Sequence, residues 1–199
     1  MEVSKIILAS KSPRRSQLLQ WADIPFEVIV SETDESYPHN LSDAEIAMHI
    51  ACDKATAVKK IVEDSDTNVS TYPILAADTI VVLNNKIIGK PPGRSEAIET
   101  LKLLSGKTHS VITGVCILSG EKKITFADET LVEFHSLSQQ QIEYYVDNYH
   151  PYDKAGAYAI QEWIGVTGIR SITGDFYNVM GLPVSRVIKE LKGLGLLVN

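Results

Sequence analysis

Short apolar runs and longer runs with apolar residues at helical spacing follow one another along the chain. Runs of mainly apolar residues, or of alternating apolar and polar residues, are typical of strands. They predict strands at Ile6–Ala9, Phe26–Val30, Ile74–Ala77, Ser110–Leu118, Lys123–Phe134 and Ile169–Thr173, a hairpin of Ile80–Leu83 and Lys86–Ile88 around Asn84-Asn85, and a strand that ends in the amide of Gln161. The chain is therefore rich in strands from end to end.

Apolar positions at helical spacing predict five helices. They are Ser16–Ala22, which follows Pro13, Asp43–Ile61, Ser95–Leu104 with Ser95 as N-cap, a helix from Ser138 to about Asn148, and Pro183–Leu191. Ser138 and Gln141 have the spacing of a capping box. The stretches Ser31–Asp43 and Glu63–Tyr72 and the segment bracketed by Gly165 and Gly168 are predicted loops.

Strands and helices mix without strict alternation, which favours an α/β fold with a mixed, curved sheet and flanking helices over a doubly wound parallel sheet. The 199 residues, 1–199, fit one domain or two small lobes around a central cleft. No apolar run approaches the length that spans a bilayer, and Met1–Lys5 lead into a predicted strand rather than a signal peptide, so we expect a cytoplasmic protein without membrane contact.

Charge and cysteine content exclude several function classes. The formal net charge of −6 argues against a nucleic-acid partner. Cys52 and Cys116 have neither paired spacing nor a histidine cluster beside them, so the sequence predicts core packing rather than a disulfide framework or a zinc site.

The opening segment Ser10-Lys11-Ser12-Pro13-Arg14-Arg15 joins a strand to a helix. Backbone N–H groups at a helix start, together with two guanidinium groups, suit a polyphosphate. The same residues also make an ordinary N-cap, with Pro13 as the first helical residue and two solvated arginines. Both interpretations stand on these residues alone.

Two further charged residues lie in apolar surroundings. Lys54 falls within the apolar stripe of the helix Asp43–Ile61, so its ammonium either reaches solvent along its methylene stem or enters a cleft. Asp78 lies between two apolar runs, where an ionised carboxylate is costly without a partner. It is either a capping or turn residue, or a metal ligand or base.

Six ordered blocks resemble the Maf family of nucleotide pyrophosphatases along nearly the whole chain. They are Leu8-Ala9-Ser10-x-Ser12-Pro13-Arg14-Arg15, Ala77-Asp78-Thr79, Gly89-Lys90-Pro91, Leu104-Ser105-Gly106, Asp153-Lys154-Ala155-Gly156-Ala157-Tyr158 with Gln161, and Gly181-Leu182-Pro183. The resemblance implies two lobes related to the inosine triphosphate pyrophosphatases, with the active site in the cleft between them. It also implies a homodimer.

The resemblance implies hydrolysis of a nucleoside triphosphate to its monophosphate and pyrophosphate, with Mg²⁺ or Mn²⁺ as cofactor. It assigns Asp78, Lys54 and Lys90 to catalysis, and Asp78 to the metal together with the acidic position after the second strand, taken as Asp34. The implied substrate-binding residues are Ser10, Arg14, Arg15, Thr79, Lys154 and Gln161.

Three of these positions concern which nucleotide base the protein recognises. In similar proteins the combination of Arg14, Thr79 and Gln161 marks a branch that acts on dTTP and UTP. A Gln amide both donates and accepts, which matches the N3–H and carbonyl of uracil or thymine. Modified pyrimidine nucleotides are further candidate substrates.

Two other functions are compatible with the same residues. One is an inosine or xanthosine triphosphate pyrophosphatase that removes abnormal nucleotides. The other is a nucleotide-binding regulator of cell division that does not turn its ligand over.

Overall fold

The computed structural model describes residues 5–64 and 71–197, which form an α/β fold around a mixed sheet. Its strands are β1 (Ile6–Leu8), β2 (Phe26–Val28), β3 (Ile74–Leu83), β4 (Lys86–Ile88), β5 (Thr108–Ser119), β6 (Lys122–Phe134) and β7 (Ile169–Thr173). Their order is β2-β1-β3-β5-β6-β7, and β4 pairs with β3. β1 runs parallel to β2 and β3, whereas β3–β4 and β6–β7 are antiparallel, so the predicted mixed sheet is confirmed.

The helices accompany this sheet. They are α1 (Pro13–Trp21), α2 (Asp43–Glu63), α3 (Arg94–Leu104), α4 (Gln139–Tyr149), α5 (Trp163–Gly168), α6 (Phe176–Met180) and α7 (Val184–Gly193), with 3-10 turns at Pro151–Asp153 and Ala155–Ala157. Among the described residues, no helix combines the length and apolarity needed to cross a membrane.

The chain divides into two compact units. Unit 1 comprises Met1–Asp78, Thr113–Asp128 and Gly181–Asn199, and unit 2 comprises Thr79–Ile112 and Glu129–Met180. In unit 1, the side chains of α2 pack on the sheet through a cluster of buried apolar residues that includes Ile7, Ala51, Ala55, Val58, Ile74, Ala76 and Cys116.

Helix α2 is fixed at its start and along one face. Ser42 and Glu45 form a capping box that satisfies backbone N–H groups of the first turn. Further along, a Cβ at Gly114 of β5 would lie only 2.2 Å from the carbonyl carbon of Ala47. Since the side chain of any other residue would collide there, Gly114 lets the backbones of α2 and β5 approach closely.

Unit 2 has its own core. Helices α3 and α4 pack on each other, with Leu104 and Tyr145 fully buried. The capping box predicted for Ser138 and Gln141 is confirmed. Asn84 and Asn85 both have positive φ in the turn between β3 and β4, the conformation that a two-residue hairpin requires, so that hairpin is confirmed.

Two strand predictions were wrong. β3 is one continuous strand, so Asp78 lies within it rather than between two separate runs. The strand expected to end at Gln161 does not form, because Gly156 and Ala157 have positive φ and the backbone N–H of Ala159 donates to the Tyr145 hydroxyl at 3.1 Å instead of to a neighbouring strand.

One loop prediction and one N-cap prediction were also wrong. The segment with Gly165 and Gly168 is helix α5 and not a loop, and a Cβ at Gly165 would lie 1.7 Å from the Ile160 carbonyl oxygen, which explains the glycine. Ser95 lies inside α3, whose N-cap is Gly93. Of the predicted loop Glu63–Tyr72, Glu63 ends α2, and residues 65–70 lie outside the described residues.

Candidate active site

A lysine held by two carboxylates is the central feature of the candidate site in unit 1. The Lys54 ammonium donates to Oδ1 of Asp78 and to Oε1 of Glu35, at 2.7 Å each. The side chains of Lys54 and Asp78 are only 18% and 13% exposed, whereas Glu35 is 49% exposed. The ammonium of Lys54 therefore turns toward carboxylates rather than out along the surface.

The elements that carry this cluster are well anchored. Lys54 lies on α2, between the buried residues Ala51 and Ala55 of the unit 1 core. Asp78 directly follows Ala76 and Ala77, which are fully buried in β3. Because both backbones are held by apolar packing, the Lys54 and Asp78 side chains have little freedom to separate.

A buried arginine lies in the same unit. The Arg15 guanidinium donates through Nε to the Gly181 carbonyl oxygen at 2.7 Å and through Nη1 to the Ser10 hydroxyl at 3.0 Å. The Ser10 hydroxyl also accepts from the Ser12 backbone N–H at 3.2 Å. Together, these bonds fix the guanidinium at the junction of β1 and α1.

The electrostatics link Arg15 to the carboxylates. Burial lowers the pKa of Arg15 below its ordinary value, and the neighbouring charges of Asp78 and Glu35 act in the opposite direction. Arg14, which is half-buried, lowers the same pKa. An arginine remains protonated under these conditions. The cationic and anionic groups of unit 1 therefore act on one another.

Of Asp34 and Glu35, the two neighbouring acidic residues after β2, it is Glu35 that contacts Lys54. The exposed Asp34 carboxylate accepts from the Ser36 backbone N–H at 3.1 Å and so forms a local turn. The longer Glu35 side chain instead reaches Lys54. Sequence reasoning chose Asp34 and missed Glu35; its only signal was the run Glu32-Thr33-Asp34-Glu35, which offers three carboxylates without showing which one turns inward.

A second ionic network lies in unit 2, around Lys154. Its buried ammonium donates to Asp153 Oδ1 at 2.8 Å and lies 3.6 Å from Glu162 Oε1. Glu162 in turn accepts a short hydrogen bond from the Tyr145 hydroxyl. Tyr145 and Glu162, which sequence reasoning also missed, thus hold Lys154 and the turn before α5 together.

The other predicted residues of unit 2 occupy turns and a strand. Lys90 and Gln161 are exposed, and Thr79 is half-buried in β3. The Gly156 N–H donates to the Gly89 carbonyl at 3.2 Å. This bond holds the turn that carries Lys90 against the segment that carries Lys154.

The donor set of unit 1 can be tested against a divalent metal. Nowhere in residues 5–64 and 71–197 do three or more His, Cys, Asp or Glu side chains gather as a metal cage. Asp78 and Glu35 do converge on one cationic point, the Lys54 ammonium. Mg²⁺ is commonly bound by one or two carboxylates plus substrate phosphates. This pair therefore fits a metal ion whose remaining ligands include oxygens of a bound triphosphate.

Comparison with protein families gives a match over almost the whole chain. The family described as "Maf-like protein" matches residues 5–194. These residues include every site residue discussed above.

Curated relatives are similar over the same length. A dTTP/UTP pyrophosphatase of Bacteroides thetaiotaomicron is 47% identical over 96% of this chain and 96% of its own. One of Parabacteroides distasonis is 49% identical over 94% of this chain and 95% of its own. One of Cytophaga hutchinsonii is 50% identical over 94% of this chain and 83% of its own.

A solved structure, that of the Staphylococcus aureus Ham1 protein, aligns with 65% of this chain and 71% of its own, at a TM-score of 0.43 and 16% identity.

Proposed function

Since the chain belongs to the Maf-like protein family, we propose that it is a nucleoside triphosphate pyrophosphatase that converts dTTP or UTP to the monophosphate and pyrophosphate. The relatives that are 47% to 50% identical along its length are dTTP/UTP pyrophosphatases. The observation that carries the proposal is the Lys54 ammonium, held between Asp78 and Glu35 in the same unit as the buried Arg15.

A triphosphate substrate would explain why several basic side chains lie in unit 1. A triphosphate carries about four negative charges, and attack on its α-phosphorus adds charge to the equatorial and leaving oxygens. Fixed positive groups lower the energy of that transition state without reorganising. Ser10, Arg14 and Arg15 bind phosphate oxygens in this proposal, and Lys54 neutralises charge as it develops.

Asp78 is the proposed catalytic carboxylate. Water must lose a proton as it attacks phosphorus, and a carboxylate within hydrogen-bond reach can orient that water and accept the proton. The contact between Asp78 Oδ1 and Lys54 holds the carboxylate in one orientation. Lys54 thereby positions the base and also supplies positive charge.

A divalent cation, Mg²⁺ or Mn²⁺, belongs to the proposal. Asp78 and Glu35 would hold it, and Asp34 is the neighbouring carboxylate that the family resemblance assigns to it. Once bound, the ion neutralises phosphate charge and lowers the pKa of water.

The family resemblance also assigns residues of unit 2. It gives Lys90 a role in catalysis and Lys154 a role in substrate binding. The family resemblance assigns the choice of base to Thr79 and Gln161, as it does to Arg14, and an amide can pair with both N3–H and a carbonyl. The exposed Gln161 lies in the turn before α5, which Glu162 and Tyr145 hold in place.

The proposed enzyme acts in the cytoplasm, where nucleoside triphosphates are made and used, and needs neither nucleic acid nor a membrane. The family resemblance supports a homodimer. Light scattering after size-exclusion chromatography should give twice the mass of one chain, and a single-chain mass would contradict the dimer.

Pyrophosphate release from a panel of nucleotides tests the function. We expect turnover of dTTP and UTP in the presence of Mg²⁺ or Mn²⁺, and a loss of about 100-fold or more in Asp78→Asn, the range by which general bases contribute. Asp64→Asn is the matched control, since Asp64 is exposed at the end of α2 and should leave turnover unchanged. Near-normal turnover in a folded Asp78→Asn protein would remove Asp78 from the mechanism.

The same panel separates the rival functions. Preferred turnover of inosine or xanthosine triphosphate would assign the protein to that class of pyrophosphatase. Tight UTP binding without pyrophosphate release would make it a nucleotide-binding regulator.

A further inference from the structure

Both cysteines of the chain lie in unit 1, and the proposed reaction uses neither. The thiols of Cys52 on α2 and Cys116 on β5 lie close enough together that each shifts the pKa of the other. Cys116 is fully buried in the apolar cluster beneath α2, and the half-buried Cys52 packs against the same cluster. The two sulfur atoms are therefore neighbours although 64 residues separate them in sequence.

The backbone also brings these elements together. A Cβ at Gly114 would collide with the backbone at Ala47, so β5 and α2 touch at that level. Gly114 and Cys116 lie on the same face of β5, because alternate residues of a strand share a face. Cys52 lies little more than one turn of α2 beyond Ala47. Disulfide formation demands such a close approach of two backbones.

The two thiols have different chemical character. The hydrogen bond from Cys116, opposed by burial and assisted by the nearby Lys123, lowers the pKa of Cys52 to about 7. The same hydrogen bond, together with burial, raises the pKa of Cys116 above its ordinary value. Cys52 is thus the sulfur that reacts as a thiolate, and Cys116 keeps its proton beside it.

We propose that Cys52 and Cys116 are a redox-active dithiol that a hydroperoxide converts into an intramolecular disulfide. In the first step, the Cys52 thiolate attacks the peroxide, a sulfur–oxygen bond forms, and the oxygen–oxygen bond breaks. The departing oxygen takes up a proton from solvent, which leaves sulfenic acid on Cys52.

In the second step, the Cys116 sulfur attacks the Cys52 sulfur. The sulfur–oxygen bond breaks, and the hydroxide leaves as water with the proton from Cys116. The peroxide is reduced by two electrons, and the pair of thiols is oxidised by two. A thiol reductant reverses the change by exchange at the disulfide.

The disulfide would tie α2, which carries Lys54, to β5. Cys116 acts here as the resolving thiol, because its burial keeps it from the oxidant while the packing of both residues on one apolar cluster keeps it next to Cys52. This arrangement favours a reversible disulfide over further oxidation of Cys52.

Treatment of the folded, full-length protein with hydrogen peroxide, followed by alkylation and mass spectrometry, tests the proposal. We expect the intact mass to fall by two hydrogen atoms, both thiols to become unreactive toward the alkylating reagent, and one proteolytic product to join the peptides that contain Cys52 and Cys116. Dithiothreitol should restore both thiols. Sulfinic acid on Cys52 without a disulfide, a link only between separate chains, or two unreacted thiols would each overturn the proposal.

The variants Cys116→Ala and Cys52→Ala assign the roles of the two thiols. In Cys116→Ala, Cys52 should be trapped by dimedone as its sulfenic acid. In Cys52→Ala, Cys116 should remain a free thiol after the same exposure to peroxide. The reverse pattern would overturn the assignment, and because the main measurement uses the unmodified chain, it stands even if a variant folds poorly.

Discussion

Lys54 shows how much one side chain contributes to the candidate site. Its ammonium contacts Asp78 from a strand and Glu35 from a loop, so three separate parts of unit 1 meet at one atom. Loss of Lys54 would leave the mostly buried Asp78 carboxylate without this cation, which is costly. Loss of the exposed Glu35 would still leave Lys54 paired with Asp78.

The two neighbouring acidic residues after β2 give a direct test of which one serves the site. We expect Glu35→Gln to lower kcat/KM for UTP by about 10-fold or more, because a missing charge contact at a catalytic centre costs roughly 1.5 to 3 kcal/mol. Asp34→Asn is the matched control and should change kcat/KM by less than about 3-fold, since the Asn oxygen can still accept from Ser36. Steady-state kinetics of the two variants would decide between them, and a larger loss in Asp34→Asn would return the role to Asp34.

Gln161 is the residue at which base choice should be most sensitive. In Gln161→Glu, the amide donor is replaced by a second acceptor, so pairing with a pyrimidine carbonyl is lost. We expect kcat/KM for dTTP and UTP to fall by about 10-fold or more, while the free energy of unfolding changes little because Gln161 is exposed. Gln140→Glu, at an exposed position of α4, is the control for added charge. Equal kcat/KM values for UTP and GTP in the parent protein would contradict the assignment.

Among the secondary-structure elements, α2 and β5 approach each other closely at Gly114. That contact requires a residue without a Cβ at Gly114. The same two elements hold the pair Cys52 and Cys116, and α2 also carries Lys54. The position of one helix on one strand therefore affects both the proposed active site and the proposed dithiol.

Gly114→Ala should be strongly destabilising. The new methyl carbon would lie 2.2 Å from backbone atoms, which cannot move aside as a flexible side chain can. We expect the free energy of unfolding to fall by about 3 kcal/mol, the upper end for overpacking. Gly193→Ala is the control, since nothing lies within 4 Å of that Cβ and a small gain is expected. Urea denaturation measures both, and similar stabilities would mean that α2 and β5 can separate at little cost.

For the molecule as a whole, the buried His109 should make the free energy of unfolding depend on pH. His109 of unit 2 stacks on Phe134, and its Nε2 lies 2.8 Å from the Tyr158 hydroxyl. Burial lowers the pKa of His109 from 6.5 to about 4. The unfolded chain therefore binds a proton between these values that the folded protein does not bind, so stability falls as the pH falls through this window.

The free energy of unfolding should drop by about 2 kcal/mol between about pH 7 and pH 5 because of His109 alone. The free energy of unfolding of His109→Gln should change less over this pH range than that of the parent protein, whatever the stability of the variant at neutral pH. Carboxylates with lowered pKa values, namely Glu45, Glu133 and Asp147, lose their contributions at lower pH. Urea denaturation at several pH values measures the slope, and identical slopes in both proteins would show that His109 does not control it.

Much of the fold was predictable because its signals are local. The capping box at Ser138, the turn at Asn84-Asn85 and the helical spacing of α2 each lie within a short stretch of sequence. The segment from Ala157 to Gly168 was predicted wrongly because its backbone is shaped by contacts with distant residues. The Tyr145 hydroxyl, for example, takes the Ala159 N–H that a strand would have used.

The amino-acid sequence by itself determined the family, the mixed α/β class and the main charged residues, since periodicity and ordered motifs can be read without knowledge of distant contacts. Tertiary structure decided which of these residues meet. Lys54 finds Asp78 across 24 positions, and Glu35 rather than Asp34 joins them. Such pairings depend on how the packing of helices and strands orients their side chains, and no local sequence pattern predicts that orientation.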